Sequence, residues 1–369
     1  MSENRVLKRQ SNIELMRVIL MIGLTLHHIG CHGGLLSAND NLEIMFLGCI
    51  FLPLGKMIFC AFIFASMWFT IGNNFSGKKF LNIWFSVLFY NLLGMTLAIW
   101  LNDGAIHIRF ANIIGCFLPL LGCSHGFAKM YLCWMLLFPF FSKITCKLSQ
   151  KNILAIILLL SSIYWIEPVV MKVCRLQVRV DWITTMYVFF FVYFVVYYVK
   201  TFVDKELLEK ICRNGIWGFL CFWFMYSVLA YYSYTNSNLL AQKFLSYAFA
   251  TEIRPLSILG GGLLFAFFLG LKVHYSRRIN LLAIGSFGVL LLHDHEYFRY
   301  VIWSQVFHTS NWVKLDFLSC LCFAVLTALI IYSIGCVIDM VRNCFYEKYF
   351  SKANFYFKCE QKLDEYFFV

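Results

Sequence analysis

Charged side chains are scarce in this sequence. Of its 369 residues, 14% are Asp, Glu, Lys or Arg and 61% are hydrophobic, whereas soluble domains carry about 25% charged residues. A soluble protein of this length has too little interior to hide so much apolar surface. The composition therefore excludes a soluble enzyme or binding module and indicates a protein embedded in a membrane.

Proline is also rare, with 5 residues, and no stretch rich in Pro, Gly or Ser divides the chain. We therefore predict one integral membrane domain over residues 1–342 and a short cytoplasmic tail over residues 343–369. The 15 cysteines are scattered through apolar runs without a CxxC pair. This spacing predicts reduced, apolar side chains rather than a disulfide framework.

The apolar runs are continuous and near 20 residues long, which is typical of membrane-spanning helices rather than strands. The 70 aromatic residues (40 Phe, 20 Tyr and 10 Trp) suit a lipid-facing surface with aromatic belts. We predict an all-α, polytopic integral membrane protein with about ten transmembrane helices. The predicted spans are residues 13–33, 46–71, 81–101, 128–146, 151–167, 182–200, 215–232, 255–272, 280–296 and 315–338.

The basic residues predict the orientation of these spans. Of the 31 Lys and Arg residues, 20 fall in termini and loops that the ten-span arrangement assigns to the cytoplasm, as the positive-inside rule requires. Both termini are therefore predicted to be cytoplasmic, and the net charge of +12 needs no nucleic-acid partner. Lys172, Arg175 and Arg179 fall in an outer loop. Either the fifth span is drawn wrongly or this loop holds an anionic acceptor.

Ionisable residues share one face of the first span. Eleven positions separate Arg17 from His28, so in a helix they lie within about 20° of each other and about 16 Å apart along the axis. His27 lies about 80° away, and Glu14 lies about one turn before Arg17. Such residues inside a membrane helix are costly and commonly functional. The alternative for Glu14 and Arg17 is an ion pair that lets the helix end insert.

These residue types indicate separate roles. Arg17, with Glu14 beside it, suits a phosphate or a carboxylate near the cytoplasmic mouth. His28, nearer the outer half, can act as a general base or be a hydrogen-bonded structural histidine. His28, Cys31 and His32 also have metal-ligand spacing. No local residue completes that set, so we predict no metal and no permanently bound cofactor.

A second group of polar residues follows the apolar run at 280–292. His293, Asp294 and Arg299 could orient a sugar hydroxyl, or could form a water-facing cap on the span. Gly285 and Gly288 would allow close helix packing there. Gly260–Gly262 lack the spacing of a phosphate-binding loop and predict helix packing. Lys56 is expected to extend its ammonium group toward the membrane interface.

Three stretches resemble the acyltransferase 3 family of bacterial membrane O-acyltransferases. The segment SNIELMRVILMIGLTLHHIG resembles the first span of that family, with Arg17 and His28 as its basic residue and histidine. GKMIFCAFIFASMWFTIGNNFSGKKFLNIWFSVLFY and INLLAIGSFGVLLLHDHEYFR resemble later segments. The chain has Ala65–Ser66 where members often have Ser-Gly, and Gly126–Phe127 where members often have Trp-Tyr or Trp-Phe.

The resemblance implies transfer of an acyl group, commonly acetyl, from cytoplasmic acyl-CoA to a hydroxyl of a glycan or lipid-linked sugar. It implies a bacterial inner-membrane location and a role for His28 as a base or a transient acyl carrier. It places Arg17 on CoA, and His293, Asp294 and Arg299 at the acceptor. Two alternatives remain at this stage: a transporter or flippase of lipid-linked sugar, and a polysaccharide polymerase or glycosyltransferase. Membrane lipids are the other expected partner.

Overall fold

The structure is a computed structural model that describes residues 10–101, 107–120, 125–166, 184–249 and 251–367. These residues form helices and connecting segments, with no β-strand among them. The loop that carries Lys172, Arg175 and Arg179 lies outside the described residues. The helices are α1 Ser11–His32, α2 Leu42–Thr70, α3 Gly77–Leu101, α4 Phe110–Cys116, α5 Gly126–Thr145, α6 Gln150–Ser161, α7 Thr184–Phe202, α8 Lys205–Asn236, α9 Leu239–Ala248, α10 Pro255–Gly270, α11 Arg277–Ile284, α12 Ser286–His293, α13 Phe317–Phe345 and α14 Asn354–Phe367.

Six helical segments of the described chain are long and apolar enough to cross a membrane. They begin and end at Ser11–Ser37, Leu42–Thr70, Gly77–Leu101, Gly126–Thr145, Lys205–Asn236 and Phe317–Phe350. Three shorter apolar helices are Gln150–Ile166, Met186–Phe202 and Pro255–Gly270. The prediction of a helical membrane protein is therefore confirmed, whereas the count of ten spans is not.

The predicted span at 280–296 is divided into two short helices. α11 ends at Ile284, and α12 begins at Ser286. Gly285, between them, lies so close to α13 that a Cβ on it would be 2.7 Å from the Cα of Cys336. The hydroxyl of Tyr332 donates to the carbonyl of Leu282 at 2.9 Å, which satisfies a backbone group near the break. Helix breaks within apolar surroundings persist where neighbouring side chains satisfy the backbone in this way.

α2 lies at the centre of the bundle and packs against α1, α7, α8 and α10. The contact with α10 is close because Gly260–Gly262 present no side chains to α2. A Cβ on Gly261 would lie 2.5 Å from the carbonyl oxygen of Met57 and 2.9 Å from the backbone nitrogen of Ala61. Small residues at a helix crossing bring backbones together and increase van der Waals contact. The packing role predicted for the three glycines is confirmed.

A buried polar network joins α3 to α13. The Arg342 guanidinium donates to Asp339 at 2.8 Å and to Asn82 at 3.3 Å, and the hydroxyl of Tyr90 donates to Asp339 at 3.2 Å. The tail then turns back onto α3, where the Gly77 N–H donates to Asp364 of α14 at 2.6 Å. The tail predicted at 343–369 thus contains a helix that docks on the membrane bundle.

Candidate functional site

Arg17 lies on α1, one turn after Glu14, and pairs with its carboxylate at 3.0 Å. The Glu14 side chain is 11% exposed and the Arg17 side chain is 31% exposed. Arg17 therefore neutralises Glu14 while part of its guanidinium faces a cavity. The ion pair between Glu14 and Arg17, which the sequence allows as an alternative, is present. The Arg17 guanidinium nevertheless remains partly accessible.

A cavity of about 490 Å³ surrounds this end of α1. Arg17 and Lys79 are its basic residues, and Ser286 lines it at the first position of α12. The positive end of the α12 dipole therefore adds to these two cations. The remaining lining residues are Gln10, Ile13, Glu14, Met21, Phe62, Ala65, Ser66, Phe69, Ile83, Phe127, Tyr131, Phe287 and Leu290. A cationic mouth with apolar walls can hold an anion attached to an apolar chain.

Three residues from the two segments that differ from the expected family pattern line this same cavity. Ala65 and Ser66 line it from α2, and Phe127 lines it from α5. The hydroxyl of Ser66 donates to the carbonyl of Phe62 within its own helix, at 2.9 Å. These departures therefore change the wall beside Arg17, eleven residues along α1 from His28, rather than the surroundings of His28.

His28 contacts His293 across the α1–α12 interface. Nδ1 of His28 lies 2.9 Å from Nε2 of His293, and Nδ1 of His293 lies 2.6 Å from the carbonyl oxygen of Val289. A carbonyl oxygen only accepts, so His293 carries its hydrogen on Nδ1. With both rings neutral, Nε2 of His293 accepts and Nδ1 of His28 donates. The lone pair of His28 is therefore on Nε2.

Nε2 of His28 faces a carboxylate. It lies 3.8 Å from Oδ1 of Asp294, which accepts from Nη1 of Arg299 at 3.3 Å. The same Nη1 lies 3.4 Å from Nε2 of His32, whose side chain is exposed at the end of α1. The predicted acceptor-side residues His293, Asp294 and Arg299 thus come together around His28. A proton taken up on Nε2 would be stabilised by the adjacent carboxylate.

His27 points toward α2, off the line of Arg17 as the helical period predicts, and its ring centroid lies 5.3 Å from that of His28. Its ring fills the space that a side chain on Gly55 of α2 would occupy. Cys31 accompanies it, with Sγ 3.7 Å and 3.6 Å from the two ring nitrogens of His27. Cys31 therefore faces away from His28, and the predicted trio of His28, Cys31 and His32 does not converge.

We refer to His28, His32, His293, Asp294 and Arg299 as the histidine cluster. Other charged and polar residues border it. Lys56 pairs with Glu252 at 3.0 Å, at the middle of α2, instead of extending to the interface as expected. The ring of His125, which precedes α5, lies 5.4 Å from the ring of His295. Sequence reasoning passed over His125 because a single histidine before an apolar run has no periodic partner. Its proximity to His295 follows from long-range packing.

The two polar regions are separate. The cavity beside Arg17 extends to Met21 of α1 and Leu290 of α12. Met21 precedes His28 by seven residues, which is about 10 Å along a helix, and the intervening Leu24 and Thr25 are buried. One region opens at the Arg17 end of α1, and the other opens near the exposed His32 at the opposite end. The two regions are thus accessible from opposite ends of α1.

Comparisons of the chain with protein-family profiles, with curated proteins and with solved structures found no match.

Proposed function

We propose that this protein is a membrane O-acyltransferase that moves an acyl group, commonly acetyl, from acyl-CoA to a hydroxyl of a glycan or lipid-linked sugar. The observation that carries the proposal is the hydrogen bonding of His28 and His293, from which the tautomer of His28 follows. Its Nδ1–H is committed to His293, and its Nε2 lone pair faces Asp294 near the protein surface. This is the arrangement that a general base requires.

The cavity beside Arg17 is the proposed donor site. Arg17 and Lys79 provide two cations for the phosphates of CoA. Glu14 orients Arg17 through their ion pair. The apolar walls from α2 and α5 suit the pantetheine arm. The cavity ends at Met21, so the buried layer at Leu24 and Thr25 has to open before the thioester reaches His28.

The histidine cluster is the proposed acceptor site. Nε2 of His28 takes the proton of the acceptor hydroxyl as its oxygen attacks the thioester carbonyl carbon. The carbon–sulfur bond then breaks, and the imidazolium returns the proton to the CoA thiolate. Asp294 stabilises the imidazolium, Arg299 holds Asp294, and His293 keeps the His28 ring in the reactive tautomer.

The experiment is acetyl transfer by purified protein from labelled acetyl-CoA to a lipid-linked glycan. His28→Ala should lower the rate by about 10²–10⁴-fold, the contribution of a general base, while CoA binding persists. His27→Ala is the matched control, because His27 is the next residue on α1 and its ring packs on Gly55. Its rate should stay within a few-fold of wild type. Full activity in a folded His28→Ala protein would contradict the proposal.

One observation favours a second function, transport of a lipid-linked sugar. The helical segment at 277–293 is broken at Gly285, and Ser286 at the start of the second half lines the cavity. Transporters form substrate sites from such interrupted helices. In cells that lack the protein, loss of glycan export would favour transport, whereas export of a glycan without its acyl group would favour the transferase.

A further inference from the structure

Three potential metal ligands meet where α1 ends. His28 and His32 are one turn apart on α1, and Asp294 follows α12. One ligand atom from each residue lies within 4.8 Å of the others, a grouping of three found nowhere else among the described residues. Two histidines at i and i+4 with a carboxylate from another element are a donor set that binds Zn²⁺ in proteins.

The distances suit a metal better than a direct hydrogen bond. Nε2 of His28 lies 3.8 Å from Oδ1 of Asp294, which is too long for a hydrogen bond. Zinc ligands of these types lie about 2.0–2.2 Å from the ion, so two of them around one ion are separated by nearly this distance. The lone pair of His28 is already directed there, because Nδ1–H is donated to His293. A zinc-binding histidine usually has a second-shell acceptor of this kind.

We infer that His28, His32 and Asp294 form a binding site for Zn²⁺ or a similar divalent transition-metal ion, with the fourth position open to water. The position of Cys31, beside His27, excludes it from this set. The ligands are thus two imidazoles and one carboxylate, rather than the His-Cys-His trio that the sequence spacing suggests.

Arg299 is a competitor for two of the three ligands. Its Nη1 lies 3.3 Å from Asp294 and 3.4 Å from Nε2 of His32. The guanidinium therefore holds the groups that the metal needs, and both cations cannot occupy the space at once. The Arg299 side chain is 35% exposed, so it can move into solvent when the metal binds. The metal ion and the Arg299 guanidinium consequently exchange at this site.

If the protein is the acyltransferase proposed above, metal binding at this site blocks its general base. A metal on Nε2 of His28 occupies the lone pair that would accept the hydroxyl proton. Zn²⁺ is therefore a reversible inhibitor of acyl transfer, and a chelator restores the activity. The displaced Arg299 also leaves Asp294, so the acceptor side loses its arrangement at the same time.

The test is a titration of tag-free, chelator-treated protein with Zn²⁺ against a zinc-binding dye. His32→Ala and Asp294→Asn should each weaken binding by about 100-fold or more, since loss of a second-shell partner by itself costs about 10–100-fold. Arg299→Gln should strengthen binding by about tenfold, because it removes a competing positive charge. His27→Ala and Cys31→Ser are the matched controls and should bind as wild type does. Size-exclusion profiles verify that each variant is folded.

Equal affinity in wild type and folded His32→Ala, weaker binding in Arg299→Gln, or weaker binding in Cys31→Ser would each overturn the inference. The outcome is separable from the proposed function. Zinc binding with the expected variant pattern, but no acyl transfer by the zinc-free protein, would reject the transferase and retain the metal site. Acyl transfer that Zn²⁺ leaves unchanged, in a protein that does not bind it, would reject the metal site and retain the transferase.

Discussion

Arg17 is the residue whose partners decide what the large cavity can hold. Its ion pair with Glu14 uses part of the guanidinium, and the remainder faces the cavity together with Lys79. An isolated cation in an apolar wall would be costly to maintain. The pair with Glu14 lowers that cost and fixes the direction of the guanidinium, so Arg17 can be retained at the membrane-embedded helix end and still meet an anion.

Replacement of Arg17 tests the donor site. Arg17→Ala should weaken CoA binding by about 1.5–3 kcal/mol, the range for charge-assisted hydrogen bonds. Arg17→Lys should recover part of this, because lysine keeps the charge and the pair with Glu14 but loses the planar fork. Binding of labelled CoA to purified protein, with folding verified by size exclusion, measures both. Equal CoA affinity in wild type and folded Arg17→Ala would reject the donor role of Arg17.

At the level of single helices, the packing of α10 against α2 depends on individual glycines. The three consecutive glycines of α10 look equivalent in sequence, yet their surroundings differ. A Cβ on Gly261 would meet backbone atoms of Met57 and Ala61 in α2, whereas a Cβ on Gly262 would meet the Phe64 ring at 3.0–3.4 Å. A ring can rotate away from a methyl group, but the backbone of a packed helix cannot.

The two glycines therefore give a matched pair of substitutions. Gly261→Ala should destabilise the protein by about 1–3 kcal/mol, the usual cost of overpacking. Gly262→Ala should have little effect, because the shift of Phe64 is offset by a gain in helix propensity of about 1 kcal/mol. Thermal unfolding in detergent measures the difference. Equal melting temperatures for the two variants would show that α2 and α10 are packed less closely than described.

At the scale of the whole molecule, two polar regions lie at opposite ends of α1. The cavity that contains Arg17 ends at Met21, and the histidine cluster begins at His28, with buried residues between them. This separation suits a reaction whose two substrates arrive from opposite sides of a membrane. The orientation of the bundle then decides which substrate meets which end, and the positive-inside rule predicts that the Arg17 end faces the cytoplasm.

Reporter fusions test this orientation. Fusions after Lys79 and after Val369 should report a cytoplasmic location, and a fusion after Asp103 should report an external one, because the basic residues favour loops on the Lys79 side. A cytosolic enzyme reporter and a periplasmic enzyme reporter at each position provide reciprocal controls. An external Val369 would reject an even number of spans.

Properties that depend on local pattern could be predicted from the sequence. Helical membrane segments follow from continuous apolar runs, and the shared face of Arg17 and His28 follows from the helical period. The offset of His27 from the Arg17 line follows from the same period, and the packing role of Gly260–Gly262 follows from their lack of side chains. Each of these properties depends on residues within a few helical turns of each other, so the order of residues in the sequence is enough to predict it.

The arrangement of the site depended on tertiary structure. The hydrogen bond between His28 and His293 joins residues 265 positions apart, and the contact of His125 with His295 is also long-range. The break at Gly285 arises because α13 approaches the backbone there and Tyr332 satisfies the freed carbonyl. The sequence by itself determined which residues share a helix face. Only packing decided which faces meet, because contacts between helices depend on the shapes of many side chains at once.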